Sequence, residues 1–119
     1  MTLDEFIRNK IDGKTWPRNA YVDAPGFRSC YVRLTKRPIK GQVRDPVLDL
    51  ANIEAEEPGK GAFSALVAQL RKDWPTLGLY VESVLNPRFE TKLLEMGFEP
   101  VGPEAPRNFW MPPVVEKGG

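Results

Sequence analysis

The sequence predicts a single α/β domain, and three observations support this prediction. Residues 47–101 follow the order strand, helix, strand, helix, strand, in which a crossover helix normally joins two neighbouring parallel strands. The chain has 119 residues, 41% hydrophobic and 28% charged, which is enough for one core without disulfides. Most of its 12 prolines fall at joints between predicted elements. We therefore expect one domain in residues 1–111 and a frayed tail in residues 112–119.

The expected elements are separated by short turn-forming segments. They are a helix over 3–11, a short strand near Tyr21-Val22 within the loop 12–28, strands over 29–36 and 47–54, a helix over 62–72, a strand over 77–84, a helix from Asn86 to Gly97, and a hairpin of 98–101 with 109–111. Residues 38–46, which begin and end with proline, are predicted as a turn or a second short strand.

Each predicted helix has its own signal. Thr2 and Glu5 form a capping box before the first helix, whose expected inward residues are Leu3, Phe6, Ile7 and Ile11. In the second helix, one apolar face is formed by Phe63, Leu66, Val67 and Leu70. Asn86 followed by proline is a typical helix start, and Gly97 is a typical helix end.

The composition excludes several kinds of chemistry. The chain has no histidine, which excludes a Ser-His-Asp triad and a Cys-His pair. It has one cysteine, which excludes a multi-cysteine zinc site and an internal disulfide. The single Cys30 suits a reducing compartment. The charged start lacks the apolar run of a signal peptide, and no stretch approaches the length of a membrane span. We therefore expect a cytoplasmic protein without a metal site or a membrane partner.

The charge is distributed unevenly along the chain. Residues 1–44 contain ten Lys and Arg against four Asp and Glu, a net charge of +6, whereas the remaining residues have a net charge of −5. A basic half can attract an anionic partner such as a cofactor phosphate, a nucleic acid or an acidic protein. A solvated polar surface is an equally good interpretation, since the net charge of the whole chain is only +1.

A Gly-Lys-Gly turn at residues 59–61 lies between a predicted strand and a predicted helix. The amides and the dipole at a helix N-terminus form an anion site, and glycine lets a phosphate approach the backbone closely. The spacing fits neither a P-loop nor a dinucleotide-binding fingerprint. Two glycines can also be required only by the backbone conformation of a turn, so a purely structural role stays open at this point.

The order of motifs over residues 47–101 resembles the acetyl-CoA-binding half of the GNAT N-acetyltransferase family. The matching features are the strand before the Gly-Lys-Gly turn, the helix after it, Asn86 after the next strand, and Gly97-Phe98 at the end of the last helix. The resemblance implies a GNAT-like mixed sheet flanked by helices, here with a shortened N-terminal part. It further implies acetyl-CoA or another acyl-CoA as cofactor, and transfer of the acyl group to an amine.

The resemblance also implies roles for particular residues. Amides of the turn and of the first helical residues would hold the pyrophosphate, and they belong to Gly59, Lys60, Gly61, Ala62, Phe63 and Ser64. A bulge in the preceding strand would expose amides to pantetheine and to the oxyanion, and it falls near Asn52, Ile53 and Glu54. Asn86 would contact the pantetheine arm, although a helix N-cap explains this residue equally well.

The sequence departs from the family pattern at three positions. Pro58 stands where the family usually has Arg or Gln, and Phe63 stands where it has a small residue. Leu93 occupies the position of the usual tyrosine and cannot protonate a leaving thiolate. Tyr80 and Tyr31 are alternative acids, although an aromatic of the core or surface is the simpler interpretation of each.

Without histidine, a carboxylate must take the proton of the amine, directly or through water. The candidates are Asp49, Glu54 and Glu82. By the alternation of strand side chains, Asp49 and Glu54 are expected on opposite faces of the sheet. Each of the three can equally be a solvated strand carboxylate.

The identity of the acceptor is not visible in the sequence, but its class can be argued. Only 46 residues precede the first cofactor strand, too few for the strands and helices that usually wall the acceptor site in the family. An open cleft suits an amine on a macromolecule such as a protein or a nucleic acid, or a cleft closed by a homodimer. Two other hypotheses stay open: a GNAT-fold binding protein that does no chemistry, and an unrelated small α/β protein.

Overall fold

The computed structural model describes residues 1–13, 19–102 and 107–115. Parts of the predicted loop 12–28, of the proline-rich loop before residue 107 and of the predicted tail lie outside these ranges. Within them the elements are α1 Leu3–Ile11, β1 Asn19–Tyr21, β2 Phe27–Ile39, β3 Gln42–Ala55, α2 Ala62–Asp73, β4 Gly78–Val84, α3 Pro87–Glu95, β5 Glu99–Val101 and β6 Arg107–Met111.

The described strands form one sheet in the order β1-β2-β3-β4-β6-β5. β3 and β4 are parallel, with residues 47–50 of β3 opposite residues 78–81 of β4, and the other neighbours are antiparallel. The parallel pair connected through α2 confirms the predicted crossover unit. The antiparallel β5 and β6 confirm the predicted closing hairpin.

The β2–β3 hairpin is longer than the sequence predicts. Residues 38–46 do not form a separate turn or strand, because β2 continues to Ile39 and β3 already starts at Gln42. Lys40 and Gly41 form the turn with positive φ, and the two strands stay paired up to it. The two prolines therefore lie within the strands, which proline tolerates where its missing N–H is not needed.

The three helices pack on one face of the sheet, which we call the helix face. Buried residues of α1 and α3 join those of α2 in one core against apolar residues of β3 and β4. The predicted apolar face of α2 is confirmed, since all four of its residues are buried. Ile11 is 49% exposed, so its predicted inward position is wrong. It is the last residue of α1, and Leu3, Phe6 and Ile7 are the residues of this helix that reach the core.

The opposite face, which we call the open face, is covered partly by the tip of the β2–β3 hairpin. Ile39 and Val47 pack there with Tyr80 and Trp110 in a second, smaller core. Lys40 at the tip pairs with Glu99 of β5 at 2.6 Å. Because β4 and β6 lie between β3 and β5, the tip must cross over them. A hairpin thus covers this end of the open face.

Gly78 shows how tightly the second core is packed. A Cβ atom at this position would lie 2.1 Å from the ring of Trp110. This distance is far below van der Waals contact, so the start of β4 requires glycine for the Trp110 ring to lie against the sheet.

The residues after β6 are held by hydrogen bonds. The Val115 N–H donates to the Pro75 carbonyl at 2.9 Å, and Arg71 Nη1 donates to the Pro112 carbonyl at 3.0 Å. The first residues of the predicted frayed tail therefore contact the end of α2 and the loop after it. Among the described residues, no helix has the length and apolar character needed to cross a membrane.

Candidate active site at the split between β3 and β4

The parallel pairing of β3 and β4 stops halfway along β3. The last register pair is Leu50 with Val81, and beyond it the described residues of β3 pair only with β2. β4 continues beside β6 instead. The two strands therefore separate, and the β4-facing edge of residues 51–55 lies open. Open strand edges offer backbone N–H and C=O groups to a ligand.

A β-bulge in β3 accompanies this split. Val32 pairs with Leu50 and Tyr31 pairs with Asn52, so Ala51 is an extra residue. The bulge resets the alternation of side chains, and Ile53 packs against the main core. Glu54 consequently lies on the open face, as Asp49 does. The prediction that Asp49 and Glu54 lie on opposite faces is wrong because the alternation argument assumes a regular strand.

A second irregularity lies directly across the split, in β4. Val81 pairs with Phe109 and Val84 pairs with Arg107, so Glu82 and Ser83 together oppose one residue of β6, Asn108. Ser83 has a φ of 50°, which is unusual for a residue with a side chain. Its N–H donates to the Asn108 side-chain oxygen at 2.8 Å. Strained backbone of this kind is concentrated at functional sites.

The split opens into a cleft of about 740 Å³. Its lining combines the end of β3, the turn before α2 and the start of α3. The predicted site residues in this lining are Ile53, Glu54, Gly59, Gly61, Ala62, Phe63 and Asn86. Five predicted residues are absent from this lining, and two of them, Asp49 and Glu82, lie in a charged cluster described below. Asn52 is exposed on the open face, Lys60 lines a smaller neighbouring cavity, and the Ser64 hydroxyl contacts the Met96 sulfur.

The N-terminus of α2 faces this cleft without a side-chain cap. Gly61 is the N-cap with a φ of 81°, in the left-handed region that glycine adopts without strain. The Ala65 N–H donates to the Gly61 carbonyl, so the amides of residues 62–64 have no partner within the helix. The first turn contains no acidic residue. This end of the helix has the amides and dipole that an anion requires.

Three cations in the cleft were missed by the sequence analysis: Arg28, Arg88 and Lys92. Arg28 pairs with Glu54 at 3.2 Å, whereas no described residue forms an ion pair with Arg88 or Lys92. The last two are four residues apart in α3, and this spacing places them on the same side of the helix. The spacing was visible in the sequence, but only the fold shows that this side faces the cleft.

Asn86 caps α3 and also lines the cleft. Its side-chain oxygen accepts a hydrogen bond from the Arg88 N–H at 2.9 Å, so the N-cap interpretation is confirmed. A contact with a ligand stays a prediction.

We expect Asn86→Ala to lower the free energy of unfolding by about 1 kcal/mol, because α3 loses its cap. Urea denaturation measures the change, and Asn86→Ser is the matched control because serine also caps. If Asn86 serves only as a cap, the serine variant regains both stability and any affinity for acyl-CoA. A serine variant that is stable but binds more weakly identifies a ligand contact.

A cluster of charged residues lies on the open face beside the split. Arg37 Nη2 donates to Asp49 Oδ2 at 2.9 Å and to Glu82 Oε1 at 3.1 Å. Arg33 Nη1 reaches the same Glu82 oxygen at 3.4 Å. The Arg37 guanidinium lies 4.1 Å from the ring centre of Tyr80. Asp49 is fully buried, whereas the Glu82 side chain is 22% exposed.

The surroundings shift the two carboxyl groups in opposite directions. Burial raises the pKa of Asp49 to about 8, with further increases from its hydrogen bond to Glu82 and from the charge of Glu82, while Arg37 and Arg33 oppose the shift. The hydrogen bond from Asp49 holds the pKa of Glu82 below its ordinary value, and the two arginines act in the same direction. At neutral pH, Asp49 is therefore protonated and Glu82 is ionised.

The other side chains that the sequence singled out do not line the cleft. Leu93 is fully buried in the main core, and Tyr80 is buried beneath Arg37. Tyr31 lies on the open face, with its ring centre 4.8 Å from that of Tyr21. Burial raises the pKa of the Cys30 thiol to about 11, so this thiol stays protonated and is a poor nucleophile. The described residues contain no group of three or more Cys, Asp and Glu that could hold a metal ion.

Comparisons with known proteins support the fold. No family model matches the chain, and no curated protein matches it significantly. A solved structure of a mutant of the toxin AtaT, bound to the C-terminus of the antitoxin AtaR and to acetyl-CoA, is similar with a TM-score of 0.54 and 20% identity. The similarity covers 72% of this chain and 57% of that one. The mixed sheet, its helices and this similarity together show that the chain has a GNAT-like fold.

Proposed function

We propose that the chain binds acetyl-CoA or another acyl-CoA in the cleft and transfers the acyl group to an amine. The observation that supports this best is the joint position of two features. The uncapped N-terminus of α2 and the open edge of β3 line the same cleft. The first feature suits a phosphate and the second suits an extended amide-bearing chain, and acyl-CoA contains both.

In this proposal the pyrophosphate lies against the amides of the turn 59–61 and the start of α2. Arg88 and Lys92 add positive charge on the α3 side, and Arg28 adds it on the β2 side. Charge-assisted bonds of this kind are stronger than those between neutral groups. The pantetheine amides pair with the edge formed by Asn52, Ile53 and Glu54. Asn86 is one of the cleft-lining residues, and in this proposal it contacts the same arm.

The acyl group would lie at the closed end of the split, where β3 and β4 meet. A backbone N–H of the bulged strand can stabilise the oxyanion that forms when the amine attacks the thioester. Glu82 is the accessible carboxylate beside this point. The amine approaches from the open face, where no helix in the described part of the chain covers the β1–β2–β3 region.

Two measurements test the proposal. Calorimetric titration with acetyl-CoA and with CoA is expected to show binding at one site, and an assay of thiol release with added amines is expected to show turnover. If neither cofactor binds, the fold serves another purpose and the proposal is wrong.

Buried Leu93 favours a second candidate function, a GNAT-fold protein that binds acyl-CoA or a partner without efficient catalysis. A tyrosine at the corresponding family position supplies the acid for the leaving thiolate, and Leu93 is wholly within the core. Binding of acetyl-CoA without thiol release from any amine would support this alternative. Thiol release that depends on an amine would exclude it.

We further propose that the amine belongs to a macromolecule, a protein or a nucleic acid. The basic β2–β3 hairpin contributes Arg33 and Arg37 to the open face. A charged surface makes association sensitive to salt. We expect kcat/KM to fall as NaCl rises when the acceptor is polymeric. Efficient turnover of a small free amine by a monomer, unchanged by salt and checked by light scattering, would contradict this.

Lys60→Ala is expected to weaken acetyl-CoA binding less than about 10-fold. The Lys60 side chain is exposed and lines the smaller cavity of about 360 Å³ rather than the main cleft. Salt screens a charge in such a position. Calorimetric titration at low and moderate salt measures the effect, and a loss of binding larger than that caused by Arg88→Ala would place the phosphates on the other side of the turn.

A further inference from the structure

The proposed chemistry leaves the role of Asp49 unexplained. The residue is fully buried beneath Arg37, so it cannot touch an amine that approaches from solvent. Glu82 is accessible, but the hydrogen bond from Asp49 and two arginines stabilise its ionised form and make it a weak base when taken alone. Neither carboxylate by itself is suited to take a proton from an amine near neutral pH.

The two groups are not independent, because Arg37 connects them. One guanidinium nitrogen donates to Asp49 and Glu82 together, at 2.9 and 3.1 Å. The guanidinium carbon also lies over the Tyr80 ring, 4.1 Å from its centre. Arg33, which lies four residues before Arg37 in β2, contacts Glu82 at 3.4 Å. This arrangement fixes the positions of both carboxyl groups at the point where β3 and β4 separate.

We propose that Asp49 and Glu82 act as one base, in which Glu82 contacts the acceptor amine, Asp49 sets the proton affinity of the pair, and Arg37 is the positioning residue that joins them. The proposal rests on the proposed acyl transfer. In this proposal Glu82 is the catalytic member, because its side chain is 22% exposed whereas Asp49 is fully buried.

The proton balance of the step follows directly. The neutral amine attacks the thioester carbonyl and a C–N bond forms, while one N–H proton passes from the nitrogen to a Glu82 oxygen. The C–S bond then breaks, and the sulfur leaves as CoA thiolate, which takes a proton from solvent. The carboxyl pair returns its proton to solvent, so the net products are the amide and CoA thiol.

Coupling gives the pair a proton affinity that belongs to neither member alone. Below about pH 8 the pair holds one proton, and above it both carboxyl groups are ionised. The doubly ionised pair is the form that accepts the proton of the amine. The charged groups facing it are Arg33 and Arg37 of β2, and the facing residues of β6, Trp110 and Asn108, do not titrate in this range.

The first test follows the two carboxyl carbons by NMR in ¹³C-labelled protein between pH 4 and pH 10. We expect both carbons to report a shared step near pH 8 in the wild type. In Asp49→Asn the Glu82 carbon should lose this step and titrate below its ordinary range. In Arg37→Gln the shared step should move upward, because a cation beside both carboxylates is lost. Separate, independent titrations in the wild type would overturn the proposal.

The second test measures thiol release with acetyl-CoA and polylysine, spermidine or free lysine across the same pH range. For Arg37→Gln we expect kcat/KM at pH 7.5 to fall at least about 10-fold, with partial recovery in Arg37→Lys. The KM for acetyl-CoA should change less than about twofold, because Arg37 lies outside the cleft. Lys40→Gln is the matched control, since Lys40 is a paired cation of the same hairpin at a different carboxylate.

The outcomes separate this inference from the proposed function. If the wild type does not bind acetyl-CoA, the proposed function fails, whatever the NMR titration shows. If it binds and turns over but Asp49→Asn has the pH profile of the wild type, the shared base is wrong and acyl transfer stands. If it binds but none of the three amines supports thiol release, the carboxyl pair is a structural charge cluster and this inference is overturned.

Discussion

Gly61→Asp is expected to weaken acetyl-CoA binding by about 100-fold or more while the protein remains folded. The substitution places a negative charge at the N-terminus of α2, where the proposal puts the pyrophosphate. A Cβ atom at Gly61 would meet no heavy atom within 4 Å, so the side chain does not disturb the packing. Asp also tolerates the left-handed backbone better than most residues do. Calorimetric titration with acetyl-CoA measures the loss.

Gly61→Asn is the matched control for this variant. Asn has the same shape as Asp, adopts the left-handed region equally well and carries no charge. We expect the Asn variant to bind acetyl-CoA within about 10-fold of the wild type, because Asn adds no negative charge that would repel the pyrophosphate. Equal weakening by both variants would assign the effect to bulk rather than charge. Unchanged binding by Gly61→Asp would show that the phosphate does not bind at this turn.

Much of the fold could be predicted because its signals are local. The apolar face of α2, the cap of α3 and the crossover order each depend on a few neighbouring residues, and each is present in the structure. The hairpin over the open face could not be predicted in this way. Its length depends on Lys40 reaching Glu99 and on Ile39 packing against Trp110, which are contacts between distant parts of the chain.

The candidate site also combines features with local sequence signals and features that depend on contacts between distant residues. The turn 59–61 was recognisable from its glycines, and the sequence also singled out Asp49 and Glu82 as carboxylates. The Ala51 bulge has no sequence signature, and one extra residue moves Glu54 to the other face. The bridge from Arg37 was also hidden, because it joins residues 12 and 45 positions apart. The sequence therefore identified the turn and the two carboxylates. The positions of these residues relative to one another and to Arg37 could be seen only in the structure.

The stability of the fold is expected to fall as pH rises from about 5 to about 8, and Asp49 is the cause. The folded state raises the pKa of Asp49 from 3.8 to about 8, so between these values the folded protein holds a proton that the unfolded chain has lost. Under this condition the free energy of unfolding decreases with pH, by up to about 1.4 kcal/mol per unit. Glu82 has a lowered pKa and contributes the opposite slope, but only in more acidic solution.

Asp49→Asn should remove this slope, because Asn has nearly the shape of the protonated carboxyl group and does not titrate. We expect the variant to match the wild type near pH 5 and to exceed it by a few kcal/mol at pH 8. Urea denaturation at pH 5, 6, 7 and 8 measures both curves. Glu54→Gln, which replaces an exposed carboxylate paired with Arg28, should keep the wild-type slope. A slope that persists in Asp49→Asn would show that burial of Asp49 does not control the acid–base behaviour of the open face.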